Sequence, residues 1–144
     1  MTIDPSTERY ELVFAVADGD IDRLGHVNNT VYLRWVQDMA IAHWSAAATP
    51  AQQAALVWVV VRHEIDYVHP AMPGDRIRAR TWVGPATRLA FDRYTEILRE
   101  RDRKVLARAR TVWVPLDPAT GRPCEVSADV RARFSVPRAA AEPA

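Results

Sequence analysis

The sequence predicts an α+β fold, an antiparallel sheet of five or six strands wrapped around one long central helix. Three observations predict it. One segment alone, residues 30–47, carries a sustained helical period. Four strand-like segments follow it, separated by turns too short for crossovers, which makes neighbouring strands antiparallel. One further strand-like segment precedes the helix, so a sheet with one helix to cover it can close its core by curling around that helix.

Residues 10–16, YELVFAV, read as the first strand, and residues 18–29 as a loop. Within residues 30–47, Tyr32, Trp35, Val36, Met39, Ala40, His43 and Ala47 recur at three- and four-residue spacing and form one apolar stripe. Asn28 or Asn29 supplies the N-cap, and Thr49-Pro50 stops the helix. Residues 56–68, rich in valine and aromatics, make the second strand, and residues 69–74 a turn. Residues 76–83 alternate, with Arg76, Arg78 and Arg80 on one side and Ile77, Ala79 and Thr81 on the other. Gly84-Pro85 is expected to break that strand. Residues 89–98 and 104–116 complete the sheet around a charged turn at 100–103, and residues 117–123, DPATGRP, close it. Residues 128–134 read equally as a helical turn or a short strand. A sheet of this kind leaves long edges, which favours pairing with a second copy.

The 144 residues suit one domain, residues 1–136, with a disordered tail over 137–144. A formal net charge of +1 gives no electrostatic reason to expect nucleic acid or an anionic membrane surface. The longest apolar run, residues 54–61, is too short to span a bilayer, and the N-terminus lacks a signal-peptide pattern. With Cys124 the only cysteine, the expectation is a cytoplasmic soluble protein without an internal disulfide. His26, His43, His63 and His69 have no zinc-ligand spacing, and no glycine-rich phosphate loop is present, so neither metal nor cofactor is expected.

The chemistry concentrates in residues 20–32, DIDRLGHVNNTVY, where two acids, a glycine, a histidine and two asparagines precede the helix. Residues 20–35 resemble the acyl-CoA thioesterases of the 4-hydroxybenzoyl-CoA thioesterase family. They are also similar to the acyl-ACP thioesterases, through the pattern D-x-D-x-x-x-H-V-N-N. EIDYVHPAMPGD at 64–75 and VWVPLDPATGRP at 112–123 fit the same family in register. The resemblance implies the hotdog fold, an acyl-CoA substrate, hydrolysis to free acid and CoA without a cofactor, and a homodimer or homotetramer with sites between subunits. It aligns Asp22 with the family's catalytic aspartate. It places Asn29 where a backbone N–H polarises the thioester carbonyl, and it matches His26 and Glu64 to a histidine and a glutamate of the acyl-ACP branch. That branch carries an asparagine two residues after its aspartate, where this chain has Leu24, which favours the simpler aspartate-centred route.

A thioester carbonyl is already activated, so hydrolysis needs a carboxylate to attack or to activate water, and a donor where charge develops on oxygen. A helix start supplies unpaired N–H groups and partial positive charge, which makes residues 28–31 the candidate oxyanion site, and Gly25 permits the tight turn into it. Other readings stand beside these. Asp20 reads as a turn or capping residue. His26 admits a chemical or a packing role, and Glu64 a water-orienting role or a place on the solvent face. Asn28 and Asn29 are caps in either case. An acyl-ACP thioesterase, a hydratase or dehydratase, and a non-catalytic acyl-binding module are the alternative functions. Arg76, Arg78, Arg80, Arg108 and Arg110 either meet CoA phosphates or decorate the outer sheet face.

Overall fold

The computed structural model describes residues 7–137, so the tail expected over 137–144 lies outside the described residues apart from Pro137. Five strands, β1 (Tyr10–Ala15), β2 (Val57–Tyr67), β3 (Arg76–Ala86), β4 (Phe91–Arg99) and β5 (Val105–Leu116), form one antiparallel sheet in the order β1-β3-β4-β5-β2. The long helix α1 (Asn29–Ala47) crosses the concave face, and two short helices, α2 (Pro50–Ala55) and α3 (Ala128–Arg133), flank it. This is the predicted hotdog architecture.

The α1 stripe packs as its spacing requires. Tyr32, Trp35, Val36, Met39, Ala40 and His43 are buried, and Ala47 is partly so. Its first half meets Ile77, Ala79, Ile97, Leu106 and Ala107. Near its other end, Ala48, Leu56, Val83, Phe91, Val130 and Phe134 form a second apolar cluster against which Trp44 and Trp58 pack. Burying each large side chain of this kind contributes about 1.5–3 kcal/mol. On β3 the alternation holds, with Ile77, Ala79 and Thr81 fully buried and the arginines turned outward.

Two boundaries differ from expectation, and a third, left open between helix and strand, is helix. Thr49-Pro50 does end α1, and Thr49 then caps a second helix, α2, its hydroxyl accepting from Gln52 N–H while the Gln52 side chain accepts from Thr49 N–H. Gly84-Pro85 does not end β3. The ladder shifts register between Val83 and Ala86 and resumes at Ala86–Phe91, with Pro85 exposed at the irregularity. Gly84 leaves room there for the Tyr94 ring, which a Cβ would force to shift. Residues 128–133 resolve as helix, capped by the Ser127 hydroxyl on Val130 N–H.

The outer arginines are occupied by neighbouring acids. Arg78 pairs with Glu11 and Glu100, Arg80 with Glu96, and Arg110 with Asp92. Arg108 lies 3.9 Å from Glu96. β2 is an edge strand whose outward backbone groups have no ladder partner among the described residues.

Candidate active site

The segment before α1 is a compact knot of backbone hydrogen bonds. Residues 18–20 form one 3-10 turn. Asp22 N–H then donates to the His26 carbonyl at 3.0 Å and Gly25 N–H to the Asp22 carbonyl at 3.0 Å. Ile21 and Val27 form an antiparallel bridge. Gly25 has φ +82°, a left-handed conformation that a side chain would strain, which is why glycine closes this turn. Asn28 N–H bonds the Asp20 carbonyl at 2.9 Å, tying the turn to the N-cap of the helix.

Asp22 is half-buried at the turn. Its Oδ1 accepts from Leu24 N–H at 2.9 Å, and Oδ2 has no hydrogen-bond partner among the described residues. The carboxylate is therefore oriented by one bond and open on its other oxygen. Asp20, two residues earlier, is in the opposite condition. It is buried, with Oδ2 accepting from Ala17 N–H at 3.0 Å and Oδ1 from the Arg34 guanidinium at 2.9 Å. Both oxygens are engaged, as its reading as a turn residue expects.

At the helix start, Asn28 rather than Asn29 is the cap. Its Oδ1 accepts from Thr30 N–H at 2.9 Å and from the Thr30 hydroxyl at 2.7 Å. Val31 N–H is taken by the Asn28 carbonyl. The Asn29 N–H is left in the first turn without a protein acceptor among the described residues. His26 is half-buried, its Nδ1 3.4 Å from the Val27 carbonyl, a long contact.

Residues 69–75 brace this end of α1 from below. Ala71, fully buried, accepts from Val27 N–H at 2.9 Å and donates to the Tyr32 hydroxyl at 2.8 Å. The Tyr67 hydroxyl donates to the Asn29 carbonyl at 2.9 Å. Burial raises both tyrosine pKa values, most directly for Tyr32, so each stays a protonated phenol at neutral pH. Sequence reasoning left Tyr32, Tyr67 and Ala71 unassigned. Tyr32 lay hidden in the apolar stripe of α1, and Tyr67 and Ala71 in a motif recognised only by register.

The structure brings Asp22, Gly25, His26, Asn28 and Asn29 into one turn. It does not bring Glu64 to them within this chain. Glu64 lies between His63 and Ile65 on β2, opposite Arg110. His63 and Ile65 face inward, so Glu64 points to the outer face, where it pairs with Arg62 at 2.7 Å and Arg110 at 3.3 Å.

A cavity of about 350 Å³ opens beside the other half of α1, between the helix, the inner sheet and α3. Its walls include Ile41, Trp44, Trp58, Phe91, Trp113 and Phe134. Among the described residues, no group of three or more His, Cys, Asp or Glu side chains is placed to hold a metal, and no helix is long and apolar enough to cross a membrane.

A family model described as the thioesterase-like superfamily matches residues 16–134. No curated protein sequence matches the chain. Among solved structures, a 1,4-dihydroxy-2-naphthoyl-CoA thioesterase from Synechocystis superposes with a TM-score of 0.78 at 20% identity, covering 89% of this chain and 96% of that one. A thioesterase from Thermus thermophilus, crystallised with coenzyme A and zinc, gives 0.75 at 25% identity, covering 86% and 90%. The 12:0-ACP thioesterase of Umbellularia californica gives 0.75 at 16% identity, covering 88% of this chain and 49% of that one.

Proposed function

The chain belongs to the thioesterase-like superfamily and is a thioester hydrolase; we propose that it cleaves acyl-CoA to free acid and CoA with Asp22 as its central carboxylate. The observation that carries this reading is the pairing of a half-engaged carboxylate with an unclaimed donor. Asp22 is held through Oδ1 with Oδ2 open, in a turn stitched to a helix start whose Asn29 N–H has no acceptor among the described residues. The thioester carbonyl oxygen sits on the Asn29 N–H, assisted by the partial positive charge of the first turn of α1. Asp22 draws a proton from the attacking water, or attacks the carbonyl carbon itself to give a mixed anhydride that water then hydrolyses to the free acid. A C–O bond forms, the C–S bond breaks, and CoA leaves as the thiolate. Gly25 and Asn28 hold the turn and cap that set this geometry, and His26 lies beside it.

The site needs a second copy of the chain. Gln37, where the cavity wall begins on α1, lies eight residues beyond Asn29, so about 12 Å along the helix separates cavity and donor within one copy. The unpaired edge of β2 removes that gap if two copies join there about a twofold axis, as antiparallel strands do. The Tyr67 end of β2, bonded to Asn29, would then lie against the partner copy's Val57 end, which lines the cavity. The acyl group would enter the cavity of one copy while its carbonyl met the helix start of the other.

The test is CoA release, followed with a thiol-trapping reagent across acyl-CoAs of different length and across the same acyl groups on ACP, for wild type and Asp22→Asn. Saturable turnover lost in the variant supports the reading. Turnover that survives Asp22→Asn overturns the role of Asp22, and turnover on ACP esters alone replaces the carrier.

A further inference from the structure

The cavity is apolar, but its polar groups are unbalanced. Trp113 is nine-tenths buried, Trp58 is partly buried, and the Nε1–H groups of both are buried without an acceptor among the described residues. Arg93, on the inner face of β4, also lines the cavity and is almost fully buried. Among the described residues it makes two hydrogen bonds, both through Nη1, to His43 Nδ1 at 2.9 Å and to the Thr81 hydroxyl at 3.2 Å. Neither partner is an anion. Burial, then the charge of Arg93, lowers the His43 pKa to about 4, so the imidazole is neutral at pH 7. Burial alone lowers the Arg93 pKa to about 10, with no carboxylate raising it, and the guanidinium is still charged at pH 7.

The acids nearby are committed elsewhere. Glu8 lies beyond the imidazole, 3.7 Å from His43 Nε2 and 3.0 Å from Arg133. The Asp92 carboxylate is bound by Arg110. Among the described residues the cavity therefore presents one cation and two N–H donors without a paired anion, in a mostly hydrocarbon wall whose other polar members are Gln37 and Asp92, the latter held by Arg110. Buried donors and charges call for partners, and an isolated buried cation calls for an anion.

Resting on the proposed acyl-thioester hydrolysis, we infer that this cavity selects acyl groups carrying a carboxylate remote from the thioester, read by Arg93 with the indole N–H groups of Trp58 and Trp113. The hydrocarbon between the two ends lies against the aromatic wall, and the Nε and Nη2 edge of Arg93, without a hydrogen-bond partner among the described residues, supplies a fork for the distal carboxylate. An unsubstituted acyl group fills the same space and leaves all of these donors unpaired, which is the arrangement that discriminates most strongly between near-isosteres.

The test compares kcat/KM within matched sets: benzoyl-, 4-hydroxybenzoyl- and 4-carboxybenzoyl-CoA, and octanoyl-CoA against its ω-carboxy analogue. The expected result is a preference for the carboxylate-bearing member by about tenfold or more. In Arg93→Gln the ratio should fall towards one. Trp113→Phe removes the N–H with the pyrrole part of the indole, keeps an aromatic wall, and should lower the ratio by about two- to fivefold; it serves should Arg93→Gln not fold. Equal rates within each set, a preference for the hydroxyl over the carboxylate, or a ratio unmoved by both variants overturns the inference. If wild type releases CoA from none of these esters, the hydrolysis reading fails separately. The non-hydrolysable N-methylamides of the same acyl groups, titrated by quenching of tryptophan fluorescence, then decide the cavity. Tighter binding of the carboxylate-bearing amides, lost in Arg93→Gln, sustains the inference, and equal binding overturns it.

Discussion

The two ends of α1 are built on opposite principles. The N-terminal end is a surface knot of backbone hydrogen bonds, with a half-exposed carboxylate and an unclaimed N–H. The C-terminal half is a buried aromatic chamber, with Trp44 edge-on to Trp58, Trp58 edge-on to Phe91, and Phe134 stacked on Trp44. The first keeps water and carboxylate together, which hydrolysis needs. The second is lined mainly by hydrocarbon, where a few polar groups discriminate strongly. On the proposed reading one helix separates reaction from recognition, and the separation can be broken at either end.

The largest effect should come from Asp22. Asp22→Asn keeps the acceptor for Leu24 N–H and removes the base or nucleophile, so kcat should fall by about 10²–10⁴-fold while the melting temperature stays put. Steady-state kinetics beside thermal unfolding checks both halves. A fall in melting temperature that accounts for the lost rate would make Asp22 a structural residue like Asp20.

The other end should fail first in acid. The folded-state pKa of His43, about 4, lies below the ordinary 6.5, because burial and Arg93 disfavour the imidazolium. Between those values the unfolded chain binds the proton and the folded chain does not. The stabilisation is complete above about pH 6.5 and is lost as pH falls towards 4, by an amount on the order of 3 kcal/mol. Urea unfolding at pH 7 and pH 4.5 should show this loss, and His43→Asn, which keeps an acceptor for Arg93, should flatten it. An equal pH dependence in that variant would assign the acid sensitivity elsewhere.

Asp20 and Asp22 sharpen the comparison within one end. Asp20→Ala removes acceptors from Ala17 N–H and from Arg34, whose side chain is about half exposed. The expected cost is about 1–2 kcal/mol of stability. The catalytic loss should stay well below that of Asp22→Asn. Chemical denaturation of the two variants side by side separates an aspartate that holds the turn from one that uses it.

How far the sequence carried follows from the same contrast. Local rules reached the N-terminal end. A glycine with positive φ, an asparagine cap and a hydrophobic stripe each leave a mark within a few residues, so α1, its cap and the turn of Asp22 were legible. The chamber was not, because Trp58, Phe91, Arg93, Trp113 and Phe134 come from four elements distant in sequence, and only the sheet order assembles them. Arg93 was invisible as a site residue, since a strand arginine reads as solvent-facing until its face is known. Gly84-Pro85 misled for a related reason. The pair does interrupt the ladder, but cross-strand packing by Tyr94 carries the strand past it. The helix α2 was hidden by the signal that ends α1, since Thr49-Pro50 serves as a stop for one helix and a start for the next.

Glu64 gives the smallest expected effect and the most direct check on face assignment. Its carboxylate is bound by Arg62 and Arg110 on the outer face, about half exposed. Exposed pairs of this kind contribute about 0.2–1 kcal/mol. Glu64→Ala should therefore lower stability within that range and change kcat by less than about twofold. A tenfold loss of kcat at unchanged stability would mean that the outer face of β2 reaches the reacting centre, which the paired sheet edges of a second copy would have to accomplish. The same kinetic assay that tests Asp22 thus decides whether the two faces of β2 are as separate in function as the two ends of α1.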